Sequence, residues 1–176
     1  MKKKLLTFIA LCLWVAGCAG PLRYPAASKE TSGDEQRLKG MKYFIEAKAA
    51  EEKKDYNAAI VALRSAADLD PTPTIYARLA HNYAEIRDHY MAVVFAQKAL
   101  EIDAERIGMR HLLLQIAYRE GDRQSAMRQL EALVQRDPLD WKLYFQLARF
   151  YMEVGQTARI TPLFERALGH PEAPIE

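Results

Sequence analysis

Apolar and polar positions along the middle of this chain recur with a long period, about 34 residues. The segments DYNAAIVALRSAADLDP (55–71), DHYMAVVFAQKALEIDA (88–104) and DRQSAMRQLEALVQRDP (122–138) align without gaps. The small residues Ala59, Ala92 and Ala126 mark that period, and Ala66, Ala99 and Leu133 keep it further along each segment. Upstream of the later segments a second pattern returns at the same interval: Leu79-Ala80 with Tyr83, Leu113-Leu114 with Ala117, and Leu147-Ala148 with Tyr151. Apolar positions spaced by three and by four predict amphipathic helices, two per period. No run alternates β-branched residues as a strand would, so the predicted class is all-α.

Punctuation residues place the helix ends. Gly121 and Gly155 close the first helices of their periods, and Asp70-Pro71 and Asp137-Pro138 stop the second ones. Thr72-Pro73 sets a proline just inside a helix start. Ser32-Gly33-Asp34-Glu35 reads as a capping box opening the first helix. Thr161-Pro162 is tolerable only in a first turn, so the last helix is expected to begin near positions 157–161 and to be short.

This pattern resembles the tetratricopeptide repeat, whose aromatic, Leu-small, Tyr, Ala and Pro positions are spread over a unit of the same length. The resemblance covers residues 40–174 and implies about four helix-turn-helix repeats, at 40–72, 73–106, 107–140 and 141–174, within a domain spanning 32–174. The end repeats depart from the pattern: Glu46-Ala47 and Ala50 replace the Leu-small and Tyr positions, and Ile160 replaces a small residue. Such departures suit capping repeats. The implied architecture is an α-solenoid in which no helix pair buries its apolar stripe alone.

The N-terminus has a different character. Lys2, Lys3 and Lys4 precede an apolar run from Leu5 to Val15, too short to span a bilayer as a helix. Residues 1–17 therefore read as a signal peptide. The exit, Val15-Ala16-Gly17-Cys18, resembles the lipobox of bacterial lipoproteins. That resemblance implies cleavage before Cys18, acylation of Cys18 (palmitate among its chains) and a membrane anchor. Ala19 after the cysteine implies the outer membrane, facing the periplasm. Residues 18–31 then form an acylated cysteine and a tether, whose Pro21 and Pro25 stiffen a coil reaching on the order of 20 Å. Cys12 lies in the leader, so the mature chain keeps only Cys18 and forms no internal disulfide.

Charge changes the picture in one respect. The 25 basic side chains outnumber the 23 acidic ones, but three of the lysines sit in the leader. The mature chain carries a formal charge of −1 rather than +2, so no polybasic surface for nucleic acid is expected. None of the HExxH, G-x-S-x-G or phosphate-loop motifs is present. His81 and Glu85, four apart on one helix, read as an exposed polar pair rather than half of a metal site. No catalytic residue, metal site or cofactor is assigned.

The resemblance carries the repeats' groove positions onto this chain. They are Phe44, Lys48, Glu51 and Glu52 in the first repeat and Ala77, His81 and Glu85 in the second. The third contributes His111, Gln115, Tyr118 and Arg119, and the fourth Lys142, Phe145, Arg149 and Met152. This groove would run from acidic to basic and aromatic. The Lys and Asn of a carboxylate clamp are absent, because Phe44 and Lys48 occupy their positions. The expected function is a lipid-anchored periplasmic adaptor that docks a protein or peptide client, assisting assembly of a pilus, secretion or other envelope complex. The alternative is a structural lipoprotein that self-associates as a homodimer, through Ile160, Leu163, Phe164 and Leu168 at its C-terminal end.

Overall fold

The structure, a computed structural model, describes residues 29–169, with side chains from Gly33 onward. The leader 1–17, Cys18, the tether up to residue 28 and the tail from His170 lie outside the described residues. Nearly all that is described belongs to one unit beginning at Gln36.

Among the described residues there are eight α-helices and no strand: α1 (Lys29–Glu52), α2 (Tyr56–Leu69), α3 (Pro73–Glu85), α4 (His89–Ile102), α5 (Ile107–Glu120), α6 (Arg123–Arg136), α7 (Trp141–Glu153) and α8 (Ile160–Leu168). A 3-10 turn, Thr157–Arg159, precedes α8. No described helix is long and apolar enough to cross a membrane. One expectation is corrected here. α1 is already helical from Lys29, so Ser32 lies inside it and the capping box is not the helix start. The expected tether overlaps its first turn.

The hairpin turns repeat one device. After each first helix a residue adopts the left-handed conformation: Lys54 (φ 58°), Arg87 (φ 63°), Gly121 (φ 71°) and Gly155 (φ 75°). The next residue donates its N–H to a carbonyl near the end of that helix: Asp55 to Ala50, Asp88 to Tyr83, Asp122 to Ala117 and Gln156 to Tyr151, at 2.7–2.9 Å. This is the Schellman closure of a helix end. In three repeats that same residue opens the following helix, its carboxylate accepting from the N–H of Ala58, Met91 or Ser125 at 3.0 Å. The fourth has Gln156 instead, which makes no cap hydrogen bond, and the chain enters α8 through a 3-10 turn. Pro162 falls in the first turn of the short α8, as its missing N–H requires. Thr72 caps α3 with a bond from Ile75 N, and Pro73 is the first helical residue.

The recurring small residues pack where the period puts them. Ala59, Ala66, Ala92, Ala99, Ala126 and Leu133 are all buried to within 1 %. Leu79-Ala80, Leu113-Leu114 and Leu147-Ala148 are buried on the partner helices. The apolar interior forms two clusters that meet at α5. Met109, Leu112, Leu113 and Ile116 join the cluster built on α1–α4, whereas Leu114 and Ala117 join that of α6–α8. α5 is thus buried on two sides, and truncating a fully buried leucine such as Leu79 or Leu130 should cost about 2–5 kcal/mol.

The C-terminal end is held by a polar clasp. The Tyr151 hydroxyl donates to the Glu131 carboxylate at 2.8 Å, Arg159 pairs with Glu131 at 2.9 Å, and its guanidinium lies 4.4 Å from the Tyr151 ring centre. Aromatic packing of Trp141, Tyr144, Phe145 and Phe164 adds to it. Leu163, expected to stay partly open for a second copy, is buried against this cluster. Ile160 and Phe164 are half-buried, and only Leu168 is exposed.

Candidate functional groove

The first helices α3 and α5, with the turn after α3, line an open cavity of about 410 Å³. Its walls carry His81, Glu85, Arg87, His111, Gln115 and Arg119. Five of these six were expected in the groove from the repeat period, and stacking of successive hairpins brings them round one space. Arg87 was not. It stands at the left-handed turn position, which a helix-face pattern does not reach.

The pocket is polar and on balance cationic, with two guanidinium groups against one carboxylate. Burial pushes the His81 imidazole below its usual range; Glu85 and Glu51 oppose this and Arg78 reinforces it. Burial thus favours the neutral, hydrogen-bonding form of His81. Among the described residues no three metal-binding side chains cluster.

Toward the N-terminal end the wall turns apolar. Met41 and Phe44 of α1 and Ile75 of α3 line a second cavity of about 320 Å³, edged by Arg37, Thr72 and Thr74. Of the two carboxylates expected to make that end acidic, Glu51 is paired. The Glu51 carboxylate pairs with Arg78 at 2.8 Å and accepts from the Asn82 amide at 2.6 Å, and Arg78 lies 5.3 Å from the Phe44 ring centre. These contacts fasten α1 to α3. Ala77, expected in the groove, is instead in the core at 6 % exposure, because its helix position faces the interior. Lys48 and Glu52 are exposed on α1 and line neither cavity.

Toward the C-terminal end Tyr118, Arg149, Arg123 and Glu153 line a third cavity of about 200 Å³. Arg149 and Glu153 are 3.8 Å apart across one turn, and Tyr118 tilts against Phe150. Burial raises the Tyr118 phenol above its usual range, with Arg149 opposing. Phe145 is 63 % exposed despite its contact with Phe164. Lys142 and Met152 are exposed on the same helix. The surface can therefore offer a ligand apolar, hydrogen-bonding, cationic and aromatic contacts in sequence along α1, α3, α5 and α7.

Comparison with known proteins agrees with this architecture. Residues 43–73 and 73–106 each match the family profile described as the tetratricopeptide repeat. No curated protein matches the sequence. The solved structure of MamA is similar over 80 % of this chain and 81 % of its own, at 18 % identity and a TM-score of 0.60. The first tetratricopeptide domain of Spaghetti (RPAP3), bound to the HSP90 peptide SRMEEVD, is similar over 68 % of this chain and 98 % of its own, at 13 % identity and a TM-score of 0.56. PilF of Pseudomonas aeruginosa is similar over 78 % of this chain and 62 % of its own, at 21 % identity and a TM-score of 0.52. At such identities the likeness shows the fold. Residues 43–106 carry tetratricopeptide repeats, and the described residues fold as an all-α solenoid like these structures.

Proposed function

We propose that this chain is a non-catalytic adaptor, held to the periplasmic face of the outer membrane by acylated Cys18, which docks a protein or peptide client along the face of α1, α3, α5 and α7. The observation that carries the reading is the convergence of His81, Glu85, His111, Gln115 and Arg119 on one open cavity. Side chains drawn from two separate helices need not share a space unless stacking gathers them. Repeat solenoids of this kind act as interaction scaffolds, and the similar RPAP3 domain holds a peptide. The lipobox-like exit at Cys18 supports the anchor and the compartment. A lipid-anchored repeat scaffold of this size suits assembly of an envelope machine, a pilus or secretion complex first among them.

The test is photocrosslinking in the native cell from positions 111, 119 and 145, with the captured protein identified. Capture from these positions but not from the α4 and α6 side supports groove docking; equal capture from both sides refutes it. Cys18→Ser should leave an unacylated precursor, and continued palmitate labelling of that variant would refute the anchor.

A further inference from the structure

α1 presents an apolar seam that no described helix covers. Leu38, Met41 and Ile45 follow at spacings of three and four, which aligns them on one helix face. They are 56, 59 and 60 % exposed, while Gly40 and Ala47 on the opposite face are buried against the rest of the fold. Continued by the same spacing, the seam begins at Asp34 and ends at Lys48, and Glu35 and Lys42 flank it on one side. All four charged side chains are exposed. No described ion pair involves them.

We propose that a second copy of this chain docks on this seam, with the two α1 helices antiparallel about a two-fold axis near residue 40. The charge order selects that occupant and orientation. In an antiparallel pair, Leu38 of each copy meets Met41 of the other, and Glu35 faces Lys42. Asp34 then lies within one helical turn of Lys48 across the interface, a gap the long lysine stem can span. Each of these charge contacts occurs twice by symmetry, and every one joins opposite signs. A parallel pair in register would instead set Asp34 against Asp34, Lys48 against Lys48 and Lys42 beside Arg37, three repulsive contacts. An isologous two-fold contact also closes on itself and forms no open filament. Because Met41 also lines the apolar cavity beside Phe44 and Ile75, the apolar surface is wider than the seam alone.

The test is a charge swap read by sedimentation velocity on the full chain in detergent over a wide concentration range. The native chain should show reversible dimerisation. K42E/K48E, which reverses both lysines and leaves these four positions all acidic, and D34K/E35K, which reverses both carboxylates and leaves them all basic, should each weaken self-association by about tenfold or more. Mixed in equal amounts, the two variants should restore the dimer as a mixed species. All three chains share every residue outside α1, so micelle sharing through the leader or a lipid would pair them alike. Circular dichroism should be unchanged, since these side chains are exposed. A native chain that stays monomeric at every concentration overturns the proposal. So do variants that dimerise as well as native, or a mixture no more associated than its components.

Discussion

Lys54 and Arg87 hold a backbone conformation that a Cβ disfavours, at the turn position where the last two repeats use Gly121 and Gly155. Replacing either with glycine removes that strain. Lys54→Gly and Arg87→Gly should each raise stability by up to about 1 kcal/mol, seen as a higher urea midpoint with unchanged slope. Only Arg87 lines the polar cavity, so its variant separates the turn's geometry from any part its guanidinium takes in holding a client. A second residue-scale effect lies at Tyr151. Burial, helped by the Glu131 carboxylate that accepts its hydrogen bond, lifts its phenol to about 12. A tyrosine with its folded pKa raised contributes stability that is complete below about pH 10 and lost as pH climbs through about 12. Absorbance titration should show both Tyr118 and Tyr151 ionising late, and Tyr151→Phe should remove the step near pH 12. Neither feature was legible in the sequence. A left-handed lysine leaves no compositional mark, and the Tyr151–Glu131 contact joins side chains of different helices whose meeting depends on the packed fold.

The helix ends show why local motifs alternately succeed and fail. Asp55, Asp88 and Asp122 each serve two helices, closing one through the backbone and opening the next through the carboxylate. The aspartates were visible at the head of each aligned segment, and their meaning follows once two helices are known to share one turn. Gln156 breaks the series and a 3-10 turn results. Gln156→Asp should convert that turn to regular α-helix and add about 0.5–1 kcal/mol, measured by chemical denaturation. Ser32 went the other way. Its sequence context is that of a helix start, yet α1 runs past it from Lys29. Helices, boundaries and small-residue packing were otherwise readable, because burial between stacked hairpins imposes a strict period on the chain.

Across the whole molecule, the period that positions the core also positions the candidate groove. Groove residues of α3 and α5 were therefore readable from spacing. On α1 Phe44 does line the apolar cavity, whereas the interior claims Ala77 of α3, and Glu51 is held by Arg78 and Asn82, pairings that spacing alone does not reveal. At this scale Phe145→Ala combined with Arg149→Glu should abolish client capture while leaving helical content intact, as both side chains reach solvent. Retained capture by the double variant would place docking elsewhere.

Because α5 divides its buried residues between two apolar clusters, the molecule has a natural seam for coming apart. Warming should fray α6–α8 and α1–α4 as separate blocks, with α5 the last shared wall between them. Hydrogen exchange would then report two melting events rather than one, and a guest lying across both blocks would weld them into a single cooperative body.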